Sequence, residues 1–171
     1  ISVTIFSLCL TMLDYIDSKD ISEWKVRFPT LKNKDWKWWK NLYVSDFFDL
    51  ENSFNTEIKN RNIDFILGNP PWGSYLKKQN AEKHLEYIEI LKNKYSEKKV
   101  ISDFQIAESF ILRTKDFSNK NTKNSLVLPS KILYNYNAKE FRSIFINNFI
   151  LTEILELSPV RKKLFSWAVA P

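Results

Sequence analysis

The sequence predicts an α/β fold built on a mainly parallel sheet. Short apolar runs alternate with segments of helical period, and one of those runs breaks off at two successive prolines. The 171 residues, 44% hydrophobic and 27% charged, suit one globular domain. Composition also excludes several classes of site. Gly68 and Gly73 are the only glycines and fall in one stretch, so no phosphate-cradling glycine loop can be written in this chain. A single cysteine, Cys9, excludes an intrachain disulfide or a cysteine-based zinc site and points to a reducing, cytoplasmic setting. With His84 as the one histidine, a Ser-His-Asp triad and a metal centre are poorly supplied, and no metal site is expected. The 26 Lys and Arg against 20 Asp and Glu give +6, which favours an anionic partner, although a Lys-rich solubilising surface gives the same sum.

Residues 1–17 are apolar nearly all round. They lack a basic n-region and a small-residue cleavage site, and fall short of the ~20 residues that span a bilayer, which predicts a buried helix. The chain starts at Ile1 rather than Met, so further sequence upstream is expected. In residues 23–40, Trp24, Trp36, Trp38 and Trp39 interleave with Lys25, Arg27, Lys32, Lys34, Lys37 and Lys40. That pattern makes either a stacking and phosphate-contacting surface or a loop whose tryptophans cap the core.

Residues 42–48 read as a short β-type run. Residues 64–67 form a second, almost wholly apolar one, the pattern of a central strand buried on both faces. The two prolines that follow cannot continue a ladder, so the strand ends there. Residues 81–99 predict a charged surface helix with Leu85, Ile88 and Leu91 on a narrow stripe, and 103–117 a stronger one with Phe104, Ala107, Phe110 and Ile111 at helical spacing. After a polar turn at 119–124 comes a strand at 125–128, stopped by Pro129. Helical spacing returns at 138–148 through Phe141, Ile144 and Phe145, then strand at 150–157, and a last strand at 164–171.

The chemistry lies in Asn69-Pro70-Pro71-Trp72, at the carboxyl end of the central strand, where open α/β sheets place their ligands. Each residue before a proline is driven to extended geometry, and the prolines fix φ and remove two donors. The backbone is therefore stiff and presents acceptors. The Asn69 side-chain oxygen and the Pro70 carbonyl can meet one group that donates two hydrogen bonds, such as the exocyclic amino group of adenine or cytosine. That nitrogen is a poor nucleophile because its lone pair is delocalised. Accepting both hydrogens draws it toward tetrahedral geometry and stabilises the charge that develops on attack. Trp72 is placed to stack on the base. No metal, cysteine or histidine is required.

The run Asp64-Phe-Ile-Leu-Gly-Asn-Pro-Pro-Trp-Gly73 resembles the catalytic motif of bacterial amino-directed DNA methyltransferases, especially the adenine-N6 enzymes of restriction-modification systems, some fused to an endonuclease. The resemblance implies a Rossmann-like class I fold and S-adenosylmethionine as cofactor, with double-stranded DNA as partner and an endonuclease or specificity module beside it. Asp46-Phe47-Phe48 resembles the segment that holds the cofactor's adenine: Asp46 would accept from its amino group, Phe47 would lie beside its ring, and Asn69 would also face the cofactor. Residues 103–117 with 125–130 resemble the helix and strand after the catalytic loop, and 160–165 the later motif whose aromatic clamps the base, which makes Phe165 a second stacking residue beside Trp72. Residues 1–17 resemble the helix after the family's second motif.

The glycine-rich first motif, the ribose-binding acidic residue and the target-recognition domain are absent from this sequence. Residues 1–171 are therefore expected to be part of a catalytic domain, inactive or weak in cofactor binding alone. Two alternatives stay open: a protein-glutamine or RNA methyltransferase, whose substrate amide or amino group is also a double donor, and an inactive fragment that binds nucleic acid.

Overall fold

The computed structural model describes residues 45–58, 61–74 and 81–160, with single positions at 11, 19, 43 and 163. The chain divides into two compact units, Ile1–Ser45 and Asp46–Pro171. The predicted helix at 1–17, apart from Thr11, which is helical and exposed, the Trp and Lys segment at 23–40 and the strand at 164–171 lie outside the described residues.

The second unit begins with a turn. Residues 46–49, expected as the end of a β-type run, turn instead because the Asp46 carboxylate accepts the Phe48 N–H (2.8 Å), an Asx turn that β-forming neighbours do not override. Helix α1 (Ser53–Ile58) follows, capped by Asn52, whose Oδ1 accepts the Asn55 N–H at 3.0 Å. Strand β1 (Phe65–Gly68) comes next. Helix α2 (Glu82–Tyr95) ends at Ser96, in the left-handed conformation, and α3 (Ile106–Thr114) follows a tight turn at Ser102–Phe104. Strand β2 (Lys123–Leu126) precedes the short α4 (Lys131–Tyr134) and α5 (Lys139–Asn148).

Strands β1 and β2 pair in parallel, Phe65 opposite Lys123 and Gly68 opposite Leu126. Parallel neighbours need a long crossover, and α2 and α3 supply it. The expected strand at 125–128 thus begins two residues earlier and stops at Leu126, because the ladder is set by its partner: the Lys123 N–H donates to the Asp64 carbonyl (2.8 Å) and the Val127 N–H to the Gly68 carbonyl (3.0 Å). Burial of β1 on both faces is not found. Phe65 and Leu67 are 64% and 74% exposed, since among the described residues β2 is its one strand neighbour and no layer covers that face. Residues 150–157, expected as a strand, run exposed without a ladder.

The core gathers around α3, which buries eight of its nine residues. Against it lie Phe48, Ile132, Phe141 and Ile144, and the α2 stripe of His84, Tyr87, Ile88 and Leu91. That stripe follows the i, i+3, i+4, i+7 pattern of a helix face. The predicted surface helix is therefore half core, with Leu85 turned out to solvent. The predicted helix over 103–117 is interrupted: Asp103 takes φ 45°, and Lys115–Phe117 tightens into a 3₁₀ turn. Among the described residues no helix is long and apolar enough to cross a membrane.

His84 is buried against the Phe48 ring (centroids 4.5 Å apart), with Nε2 2.6 Å from the Ser109 hydroxyl. Burial pushes its pKa down to about 4, against a smaller opposing pull from Asp46. The folded state thus keeps a neutral imidazole, whereas the unfolded chain protonates near the ordinary value. The stability this gives is complete above about pH 6.5 and is lost as pH falls toward 4, about 3 kcal/mol in all. Urea unfolding at pH 7 and pH 4.5 should show that loss, and His84→Gln should flatten it.

Candidate active site

The site starts from the abrupt end of β1. Beyond Gly68 the ladder has no donor to offer at Pro70 or Pro71 and stops. Pro70 is buried and anchors the turn, Asn69 and Pro71 are exposed, and Trp72 is half-buried. The Asn69 carboxamide forms no hydrogen bond with any described residue, so both its polar atoms are open to a ligand. An acceptor-rich backbone and an uncommitted amide thus sit together at the carboxyl end of a parallel strand.

The exit of the turn is fixed to α3. The Gly73 carbonyl accepts the Ile106 N–H at 3.0 Å, and Ser74 forms an antiparallel bridge with Gln105. Gly73 takes φ +129°, a conformation that a side chain strains, although nothing lies within 4 Å of a Cβ placed there. Gly73→Ala therefore tests backbone strain without a clash and should cost about 1–3 kcal/mol. At Gly68 a Cβ would meet Leu126 Cδ2 at 3.2 Å, a flexible side-chain end that can shift. Gly68→Ala should melt closer to the wild type than Gly73→Ala in a calorimetric scan.

Trp72 and Gly73 form one wall of a cavity of about 270 Å³. Gln105, which precedes α3, and Glu108 within it line one side, and Pro129, Lys131, Ile132 and Asn135 line it from the segment after β2. Glu108 is the residue that sequence reasoning passed over. It is 1% exposed, and its carboxylate accepts the Ser102 N–H (2.6 Å) and the Ser102 hydroxyl. Burial holds its carboxyl above the usual range, partly offset by those two hydrogen bonds. Its one sequence signal is a charge inside an apolar helical stretch.

The other expected segment also leans on α3. Asp46 is exposed, with Oδ1 engaged by the Phe48 N–H. Phe47 stacks on Phe110, centroids 4.6 Å apart and planes 13° off parallel. Its carbonyl accepts from Arg113 Nε at 3.2 Å. Arg113 is 4% exposed, pairs with Asp116 (2.8 Å), donates to the Asn55 side chain and lies 4.4 Å from the Phe117 ring centroid. Ile106, which holds Gly73, and Phe110, which holds Phe47, are four residues apart and therefore neighbours on one helix face. One helix thus places both segments. Phe165, expected to stack on the base, lies outside the described residues.

Lys83, on α2, pairs with Glu86 at 3.0 Å. Comparison with curated proteins and with solved structures returns no match. Residues 1–165 match the Eco57I restriction-modification methylase family, and with nearly the whole chain covered it belongs to that family of methyltransferases.

Proposed function

We propose that the chain is the base-handling part of an adenine-N6 DNA methyltransferase with a Rossmann-like class I fold, acting on an adenine flipped out of double-stranded DNA. The observation that carries this reading is the uncommitted Asn69 carboxamide next to the buried Pro70 at the carboxyl end of β1. Asn69 Oδ1 and the Pro70 carbonyl would accept the two hydrogens of the amino group and orient its lone pair, so orientation and preorganised acceptors lower the barrier. Trp72 and Phe165 would hold the extruded base, whose stacking replaces what it loses on leaving the duplex.

The residues present fit S-adenosylmethionine. Asp46 is an exposed acceptor adjoining Phe47, a pairing suited to the amino edge and face of an adenine ring, and Asn69 would border the same ligand. When bound, the cofactor supplies an electrophilic methyl group. The net charge of +6 favours the DNA backbone.

Tritiated methyl transfer by the full-length protein to DNA, RNA and protein, followed by analysis of the labelled product, tests the assignment. N6-methyladenine in DNA is the expected product. Label in glutamine, RNA or cytosine, or no transfer to DNA, would overturn it.

A further inference from the structure

The turn that carries Trp72 is registered on residues 102–106, and that receiving segment has an unusual shape. Ser74 Oγ donates to the Asp103 carbonyl at 3.0 Å, and the Ile106 N–H to the Gly73 carbonyl at 3.0 Å. Asp103 itself sits at φ 45°, ψ 36°, the left-handed region that a non-glycine residue occupies at a cost. Such a conformation persists where its surroundings over-determine it. On the far side, Asn137 Nδ2 donates to Asp103 Oδ2 at 3.3 Å. On the near side stands Glu108.

Glu108 is the third residue of α3, a position from which a carboxylate commonly reaches back to the N–H of the capping residue. Here the cap is Gln105, yet Glu108 reaches three residues further and accepts both the backbone N–H and the hydroxyl of Ser102. It therefore pins the start of the left-handed turn rather than the end of the helix. Burying a carboxylate is expensive even when it is hydrogen-bonded, and an apolar residue at such a position is often neutral or more stable. The expense is incurred on the wall of the cavity that Trp72 also lines.

We propose that Glu108 is a positioning residue of the methyl-transfer site: through Ser102 and the left-handed turn at Asp103 it fixes the exit of the 69–72 turn and so the plane of Trp72 against the target base. This rests on the function proposed above. Glu108 does not touch the reacting atoms.

The test is steady-state methylation of duplex DNA by the full-length protein and by Glu108→Ala, Glu108→Gln and Ser102→Ala, with melting temperatures measured in parallel. Glu108→Ala should lower kcat by about 10–100-fold while the KM for S-adenosylmethionine stays within about twofold. Glu108→Gln keeps an acceptor for the Ser102 N–H and a donor for its oxygen, and should stay within about threefold of wild-type kcat. Ser102→Ala removes one hydrogen bond and should fall between them, by about 3–10-fold. A folded Glu108→Ala with wild-type kcat overturns the role, as does a Glu108→Gln as impaired as the alanine variant. If Glu108→Ala does not fold, Ser102→Ala decides: wild-type kcat there overturns the proposal. A wild type that methylates no DNA refutes the proposed function instead, whereas active wild type with equally active variants refutes the role of Glu108 alone.

Discussion

Asn69→Ala is expected to reduce the methylation rate by about 10²–10³-fold, the loss typical of removing one preorganised group aimed at developing charge. The same change should leave folding almost untouched. Asn69 is exposed and its amide bonds to no described residue, so the substitution removes no hydrogen bond among the described residues, and the melting temperature should move by no more than about 2 °C. Activity and stability are thereby separated at one position. Single-turnover kinetics with saturating DNA and cofactor would read the chemical step directly. Asn69→Asp retains an acceptor but adds a charge, and should recover part of the lost rate. Wild-type turnover by Asn69→Ala would remove Asn69 from the mechanism.

The strand and turn over 64–73 were legible because their signals are local: an apolar run, then two residues that cannot donate. Helix α5 was legible for a similar reason, its apolar period being carried by Phe141, Ile144 and Phe145. Helix α2 was half legible. Counting aliphatic residues gave a stripe through Leu85, whereas the buried face runs through His84 and Tyr87, whose Nε2 and hydroxyl meet Ser109 and Asp116 from 25 and 29 residues away. No local pattern encodes such partners. The Asp46 turn failed as a strand because one short side-chain hydrogen bond outweighed the β preference of its neighbours. Strand β2 was displaced because register is chosen by the partner strand, not by hydrophobicity along its own length. The shared role of α3 was hidden altogether. The contacts that make it a platform join Ile106 to Gly73 and Phe110 to Phe47 across long separations.

Arg113→Ala should be the most destabilising of the substitutions considered, by about 3–5 kcal/mol, because it breaks a buried charge network from one side. The guanidinium satisfies the Phe47 carbonyl, the Asn55 side chain and the Asp116 carboxylate at once, and lies against the Phe117 ring. Its removal leaves those acceptors facing a cavity. Asn55 is buried and has no easy route to water, and Tyr87, which also donates to Asp116 (2.9 Å), loses part of its setting. The expected fall in melting temperature is about 10–15 °C. Arg113→Lys should recover little, since a point charge cannot reach three acceptors in one plane. The functional consequence is separate from the stability loss. The Asp46 and Phe47 turn is tied to α3 by the Arg113 bond to the Phe47 carbonyl and by the ring stack on Phe110. Without the first of these, S-adenosylmethionine affinity should fall even at temperatures where the variant stays folded. Calorimetric titration of the full-length variant well below its melting point would measure this, with the wild type as the reference. An Arg113→Ala protein that melts within 2 °C of wild type would show that the network carries no net stability, and unchanged cofactor affinity would release the Asp46 turn from dependence on α3.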